Sequence, residues 1–163
     1  MPTLVHRFVL AGEEREVSPA RRKVVDKVCA WGVPLKDETA DAIRLVTSEL
    51  ITNAVVHGGG PVTVTLYHRP GSLVIDVVDG NSAAPQMSCA QAYDESGRGL
   101  ALVEILAARC AWEPAGLGKR VWAEIALPTA APATRATVLR RLFALRPRHG
   151  GVAEPESLTL AVA

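Results

Sequence analysis

Three polar residues at intervals of four, Glu49, Asn53 and His57, mark the segment of the chain that is best suited to chemistry. In an α-helix this spacing places their side chains on one stripe. A glutamate can accept a proton, and an asparagine oxygen can ligate Mg2+ without adding charge. The stripe therefore indicates a site for a divalent cation and a reactive phosphate, unless it is only the solvated face of an amphipathic helix.

Two further segments offer groups that could complete such a site. Asp79 follows an apolar run and precedes Gly80, so its carboxylate could accept a hydrogen bond from a ligand amine, although aspartate is also a common turn former. The second segment stands where a long loop is predicted to meet a helix, and backbone N–H groups at such a junction suit phosphate oxygens. It matches neither the dinucleotide nor the Walker glycine pattern. Its four residues are Gly97, Arg98, Gly99 and Leu100.

The elements that must position these residues follow from hydrophobic periodicity and from the breakers between periodic segments. Helices are predicted from an N-cap at Ser18 to about residue 31, from an N-cap at Asp37 to about His57, and from Arg98 to Cys110. Strands are predicted at residues 4–10, 62–68, 73–78, 111–113 and 120–127, with a turn at 114–119. Residues 79–97 show no period and are predicted to form a long loop, which in a compact domain is usually functional or mobile.

Length and composition indicate one globular domain followed by a different kind of segment. The chain has 163 residues and is 48% hydrophobic, which suffices for one buried core and hardly for two. After Pro128 the composition shifts to Ala, Pro and Thr, so we expect a domain at residues 1–128 and a linker with a disordered tail at 129–163. Residues 134–145 could form a basic amphipathic helix, either to dock a partner or as a solvated appendage.

Charge and cysteine content narrow the classes of partner and compartment. Basic and acidic residues nearly balance, 18 against 17, and aromatic residues make up 4% of the chain, so direct binding to nucleic acid or membrane is not expected. The three cysteines are scattered and show no zinc-ligand spacing. The sequence shows no signal peptide and no apolar run of membrane-spanning length. These features predict a reduced, cytoplasmic protein.

Taken together, the three segments resemble the sequence boxes of the GHKL ATPases, whose ATP-binding Bergerat fold is shared by gyrase, Hsp90, sensor histidine kinases and MutL. Residues 49–57 match the N box, residues 77–80 the start of the G1 box, and residues 96–100 the G2 box. Within this family the chain most resembles the anti-sigma factor serine/threonine-protein kinases of actinobacteria, through residues 48–54, 95–100 and 121–125. The resemblance covers about residues 4–127 and leaves the tail outside.

The resemblance implies a fold and a catalytic centre. The fold would be α+β, a two-layer α/β sandwich with a mixed, mostly antiparallel sheet and helices on one face. The cofactors would be ATP and Mg2+, with Asn53 binding the metal ion. Glu49 would act as the general base that activates a serine hydroxyl of a partner, or a water molecule.

The other residues implied by the resemblance would bind the nucleotide. Asp79 would accept the adenine amino group, with Gly80 next to it, and His57 would lie near the phosphate end. The backbone of residues 97–100 would hold the phosphates, and residues 82–96 would form the lid over the ATP.

The chain departs from the family pattern at three places. The G1 box often reads DxGxG, whereas residues 79–83 read DGNSA, so the lid hinge is expected to differ. Arg120 stands where the family often has a threonine that supports the adenine site through water, so weaker adenine binding is expected. Residues 82–96 contain no Lys or Arg, which leaves Arg98 as the nearby cation for a developing phosphate charge.

These motifs predict an ATP-dependent regulator of transcription. As the resemblance implies, it would sequester a sigma factor, phosphorylate a serine or threonine of a STAS-type anti-anti-sigma partner, and pair as a homodimer. The main alternative is a non-catalytic nucleotide-binding module that only docks partners, which the altered G1 box and Arg120 favour. The ATP domain of a two-component kinase is a weaker alternative, because the chain shows no dimerisation helix with a phosphoacceptor His upstream.

Overall fold

The computed structural model describes residues 3–84 and 95–128, with the backbone alone for residues 95–98. Within these ranges the chain forms five strands and three α-helices. The strands are β1 (Leu4–Leu10), β2 (Val62–Arg69), β3 (Ser72–Asp79), β4 (Arg109–Ala115) and β5 (Gly118–Ala126). The helices are α1 (Val17–Ala30), α2 (Asp37–Gly58) and α3 (Glu95–Leu106), with a short 3-10 helix, Glu14–Glu16, before α1. Among the described residues, no helix is both long and apolar enough to cross a lipid bilayer.

The strands form one sheet in the order β1-β2-β3-β5-β4. Every neighbouring pair is antiparallel, so the expectation of a mixed sheet is wrong for the described strands. Tight turns at Gly71 and Gly116 join β2 to β3 and β4 to β5, which makes each of these pairs antiparallel. Helices α1 and α2 lie between β1 and β2 in the chain, and β2 is antiparallel to β1 as well. With its helices on one face of the sheet, the predicted two-layer α+β fold is confirmed.

One face of the sheet packs on α2 and forms the core. Alternate residues of the central strands point to this face, as the twofold period of a strand requires. On α2 the buried residues recur every three or four positions, as in an amphipathic helix. The buried side chains include Val62, Val64 and Leu66 of β2, Leu73, Ile75 and Val77 of β3, Val121, Ala123 and Ile125 of β5, and Ile43, Val46, Leu50 and Ala54 of α2.

Helix α2, which carries the polar stripe, ends where the sequence predicts. Its last residue is Gly58, and Gly59 adopts a left-handed conformation with a φ of 63°, which glycine reaches without steric strain. At the other end Asp37 is the first helical residue and not the N-cap, which is Lys36. The predicted helix is therefore confirmed, with a start that differs by one position.

Helix α1 begins differently from the prediction. Ser18 lies inside α1, and Glu16 is the N-cap residue. The Glu16 carboxylate accepts hydrogen bonds from the backbone N–H groups of Glu13, Ala11 and Gly12. These bonds, that from Glu13 most, lower the pKa of Glu16. Because they close a 3-10 turn just before α1, the chain is already helical when it reaches Ser18.

Helix α3 begins and ends earlier than predicted. It covers Glu95–Leu106 instead of starting at Arg98, and Cys110 lies in β4. Gly97 and Gly99 therefore lie inside the helix, although the sequence predicts a loop up to Gly97. Glycine weakens a helix only by about 1 kcal/mol relative to alanine, so tertiary packing can override its low propensity.

Several predictions lie outside the described residues. These are the tail at 129–163, the basic helix at 134–145, and most of the lid at 82–96. Of the lid, the structure describes residues 82–84 and the backbone of residues 95 and 96.

Candidate functional site

The polar stripe of α2 forms one wall of a cavity of about 120 Å³ between α2 and α3. Glu49 and Asn53 are half-buried in this wall, and His57 is exposed. The stripe is therefore more than the solvated face of an amphipathic helix. The N box and the G2 box, which lie far apart in the sequence, meet at this cavity. The lining residues are Glu49, Thr52, Asn53, Val56 and His57 from α2, with Gly99 and Leu100 from α3.

Helices α2 and α3 approach each other closely at Gly99. A methyl group at this position would lie 1.9 Å from Oε2 and 2.9 Å from Cδ of Glu49. Both separations are well below the optimal contact distance of about 3.5–4.0 Å between carbon atoms. A glycine therefore lets the carboxylate lie against the backbone of α3, and this contact positions Glu49 in the cavity wall.

Glu49 has the electrostatic character of a proton acceptor. Burial raises the pKa of its carboxyl group above the ordinary value of 4.5, because desolvation disfavours the charged form. A raised pKa strengthens a carboxylate as a base, provided that it is still ionised at the working pH. The environment of Glu49 therefore suits the general-base role that the sequence predicts.

Asn53 offers a group that the protein itself does not use. Its Nδ2 atom is buried and has no hydrogen-bond partner among the described residues. Because Asn53 also lines the cavity and no hydrogen bond fixes its Nδ2 atom, the amide can turn its oxygen towards a ligand there. No cluster of three or more His, Cys, Asp or Glu that could hold a metal ion occurs in residues 3–84 and 95–128. An asparagine oxygen is a ligand that Mg2+ accepts, so Asn53 is the cavity residue that would hold such an ion.

Asp79 lies at the end of β3, where two glycines make room for it. A methyl group at Gly58 would lie 2.6 Å from the Asp79 Cβ atom, and one at Gly118 would lie 1.8 Å from the Asp79 carbonyl oxygen. In the sequence, Gly58 directly follows His57, near which the helix is predicted to end. In the structure it also brings the C-terminal end of α2 against Asp79.

Asp79 forms a buried ion pair that the sequence motifs do not predict. Lys119 Nζ lies 3.0 Å from each carboxylate oxygen, and both side chains are 1% exposed. The predicted turn at 114–119 includes this lysine, but in the structure Lys119 belongs to β5, directly opposite Asp79 in the strand register. The available signal was the alternation of β5, because Lys119 lies two residues before the buried Val121 and so shares its face.

Arg120 does not lie beside Asp79, and the weaker adenine binding expected from it stays a prediction. This residue lies on the other face of the sheet from Asp79, where its guanidinium pairs with Asp76 and with Glu113. Its hydrogen bonds to Asp76 and then to Glu113 raise the pKa of Arg120. A residue next to Lys119 in an extended strand must point to the opposite side. The side chain that meets Asp79 is therefore the lysine and not the arginine.

Asn81, one of the departures from the G1 pattern, ties the end of β3 to the end of α2. Its backbone N–H donates to Asp79 Oδ1 at 2.9 Å, and its side-chain Nδ2 donates to the His57 carbonyl oxygen at 2.5 Å. Gly80, which lies between Asp79 and Asn81 in the sequence, has ample space around it. A methyl group at this position would approach only the Gly58 oxygen, at 3.7 Å. The G1 and N boxes are thus joined through hydrogen bonds.

The predicted site residues therefore form two adjoining groups. The first lines the cavity, and the second surrounds Asp79, which is not among the cavity's lining residues. Gly97 lies in the first turn of α3, where backbone N–H groups lack partners inside the helix, an arrangement that suits phosphate oxygens. The Arg98 side chain lies outside what the structure describes, so its role stays a prediction.

Comparison with known proteins gives a family match. The model of the family described as "Histidine kinase-like ATPase domain" matches residues 10–125. Among solved structures, the histidine kinase domain of the blue-light activated histidine kinase of Erythrobacter litoralis EL346 is 27% identical, with a TM-score of 0.42. The match covers 55% of this chain and 45% of that one, so this chain matches under half of that structure's length. No curated protein matches the chain.

Proposed function

Because this chain belongs to the histidine kinase-like ATPase domain family, we propose that it binds ATP with Mg2+ between α2 and α3 and regulates a partner protein. One observation carries the proposal: the Glu49 carboxylate, the Asn53 amide and the α3 backbone at Gly99 meet at a single cavity. A base, a metal ligand and the start of a helix are groups that phosphoryl transfer can use.

Each of these groups has a distinct part in the proposed reaction. When bound, Mg-ATP would supply the phosphoryl group. Glu49 would accept the proton of the attacking hydroxyl, and Asn53 would hold the metal ion. The backbone around Gly97, in the first turn of α3, would bind phosphate oxygens. Asp79 would accept the exocyclic amine of adenine.

The finer proposal is a serine/threonine-protein kinase of the anti-sigma type. It would hold a sigma factor, phosphorylate a STAS-type anti-anti-sigma partner, and act as a homodimer. The phosphate would add up to about two negative charges to that partner and so break the interface through repulsion and desolvation. The support for this proposal is the resemblance at residues 48–54, 95–100 and 121–125.

The test is transfer of radiolabelled phosphate from Mg-ATP to a STAS-domain protein that forms a complex with this chain. We expect labelled serine or threonine with the wild type and a loss of about a hundredfold or more with Glu49→Gln. Glu38→Gln is the matched control, because Glu38 is exposed in the first turn of α2 and does not line the cavity. Equal transfer by wild type and Glu49→Gln would remove Glu49 from the mechanism.

A second function, partner docking without catalysis, is favoured by the enclosure of Asp79. Its side chain and that of Lys119 are both 1% exposed, so a nucleobase cannot reach the Asp79 carboxylate in this structure. In the same assay a docking module would form the partner complex and give no labelled product. Its complex would also survive removal of the nucleotide, whereas a kinase complex would depend on it.

A further inference from the structure

The buried pair of Asp79 and Lys119 is the part of the site that the proposed phosphate chemistry leaves unused. Both side chains are 1% exposed, and they lie at the end of β3 where the base of the nucleotide is expected. A buried ion pair adds little net stability, because the desolvation of both charges opposes their attraction. Net stability alone therefore does not account for this pair at the end of β3.

The pair retains one unused acceptor and one unused donor. Asp79 Oδ1 accepts hydrogen bonds from Lys119 Nζ at 3.0 Å and from the Asn81 backbone N–H at 2.9 Å. Asp79 Oδ2 accepts none from the described residues, although Nζ lies 3.0 Å away. The ammonium group has three donors, and it directs two of them to Asp79 Oδ1 and, at 3.3 Å, to the Asn81 carbonyl oxygen. Within the described ranges one oxygen and one N–H are thus left for a ligand, which can reach them only when the enclosure of the two side chains, both 1% exposed, opens.

We propose that Lys119 selects the base by donating its remaining N–H to the ring nitrogen N1 of adenine, while Asp79 Oδ2 accepts the exocyclic amine. This inference rests on the proposed ATP-binding function and adds a specificity-determining residue to it. The Watson–Crick edge of adenine carries this amine donor and this ring acceptor side by side. The free acceptor of Asp79 next to the free donor of Lys119 is complementary to this edge of adenine.

Guanine does not fit the same pair. Its Watson–Crick edge carries one acceptor and two donors, so it needs two free acceptor positions on the protein. Asp79 Oδ1 already receives two hydrogen bonds, from Lys119 and Asn81. One guanine N–H would therefore be buried without a partner, and sites that leave a buried polar group unpaired discriminate strongly.

Lys119 could instead compete with the adenine base for Asp79. The two roles predict opposite changes in ATP affinity when Lys119 is removed. A donor to N1 strengthens ATP binding, so its removal weakens binding. A competitor weakens ATP binding, so its removal strengthens it. The free Oδ2 atom favours the donor role, because the amine of adenine need not displace Lys119 from Oδ1.

The test crosses a change in the ligand with a change in the side chain. In 1-deaza-ATP a C–H group replaces N1, and Lys119→Met removes the ammonium while nearly keeping the length of the side chain. Calorimetry on the full chain with Mg2+ gives the Kd of both nucleotides for both proteins. We expect the wild type to prefer ATP by about tenfold or more. Lys119→Met should bind the two nucleotides equally, and ATP less tightly than the wild type does.

Two further variants keep the test decisive. Asp79→Asn combined with Lys119→Met leaves no unpaired ion, so it guards against a folding defect of the single variant, and it should likewise not distinguish the nucleotides. Lys36→Met is the charge-matched control, because Lys36 is exposed at the start of α2, and it should keep the wild-type ratio.

Three outcomes overturn the proposal. They are equal binding of both nucleotides by the wild type, an unchanged ratio in Lys119→Met, and tighter ATP binding by that variant. A wild type that binds ATP without preferring it overturns this inference alone. A wild type that binds neither nucleotide overturns the proposed function as well.

Discussion

The Glu49 carboxylate occupies the space that a side chain at Gly99 would need. A methyl group at position 99 would lie 1.9 Å from the Oε2 atom of Glu49. This contact joins the N box to the G2 box and sets how closely α3 approaches α2 at the cavity. The position of the proposed base therefore depends on the absence of a side chain, and even the smallest substitution should disturb it.

Gly99→Ala is predicted to displace Glu49 or to push α3 away from α2. We expect a loss of about 1–3 kcal/mol in the free energy of unfolding, which is typical of overpacking, together with a loss of phosphate transfer. Urea unfolding followed by circular dichroism measures the first effect. Ala101→Ser changes an exposed position of the same helix and should shift stability by less than about 0.5 kcal/mol. An alanine variant as stable as the wild type would show that α3 can move away from α2 without a loss of stability.

The raised pKa of Glu49 predicts how stability depends on pH. The folded state holds the Glu49 proton more tightly than the unfolded state, whose pKa is near 4.5. Stability therefore falls as pH rises from 4.5 through the folded-state pKa, and Glu49→Gln escapes this loss. Urea midpoints should show the variant at least as stable as the wild type at neutral pH, with a gap that closes in acid. A variant that is less stable at neutral pH would mean that the ionised carboxylate is a favourable native contact.

The raised pKa of Glu49 also determines the pH at which the rate of phosphate transfer falls in acid. Only the ionised carboxylate can accept a proton, so the rate should fall as pH drops through a midpoint above 4.5. Single-turnover transfer over a pH series gives this midpoint. A rate that stays constant below pH 4.5 would be incompatible with Glu49 as the base.

Strong local signals predict much of the fold from the sequence. Strand β1 is Leu4–Leu10, as its residue types indicate, and α2 ends within the glycine run that follows His57. The start of α3 is different, because the helix contains glycines that local propensity disfavours. Packing of Gly99 on Glu49, which is distant in the sequence, supports the helix there.

Local sequence patterns also predict part of the candidate site. Helical spacing alone groups Glu49 with Asn53, and both line the cavity. The place of Lys119, in contrast, depends on the register between β3 and β5, which sets it opposite Asp79. Strand register is a non-local property, so the sequence puts the lysine in a turn and assigns its place to Arg120.

Arg120→Met is predicted to lower stability and to leave ATP affinity unchanged, because Arg120 and Asp79 lie on opposite faces of the sheet. The variant leaves the buried Asp76 carboxylate without its guanidinium, which we expect to cost about 1–3 kcal/mol. Arg109→Met is the control, since the Arg109 side chain, paired with Glu124, is 72% exposed and should contribute about 1 kcal/mol or less. Thermal unfolding and Mg-ATP calorimetry measure both effects. A large loss of affinity in Arg120→Met would return that residue to the adenine site.

The central claim is that the cavity between α2 and α3 holds a Mg2+-bound triphosphate through Asn53. Calorimetric titration of ATP into wild type and Asn53→Ala, with Mg2+ and with EDTA, tests it most directly. In Mg2+ we predict that the wild type binds ATP about ten- to a hundredfold more tightly than the variant, and that the difference disappears in EDTA. A wild type that does not bind ATP, or a variant that matches its affinity in Mg2+, would contradict the account.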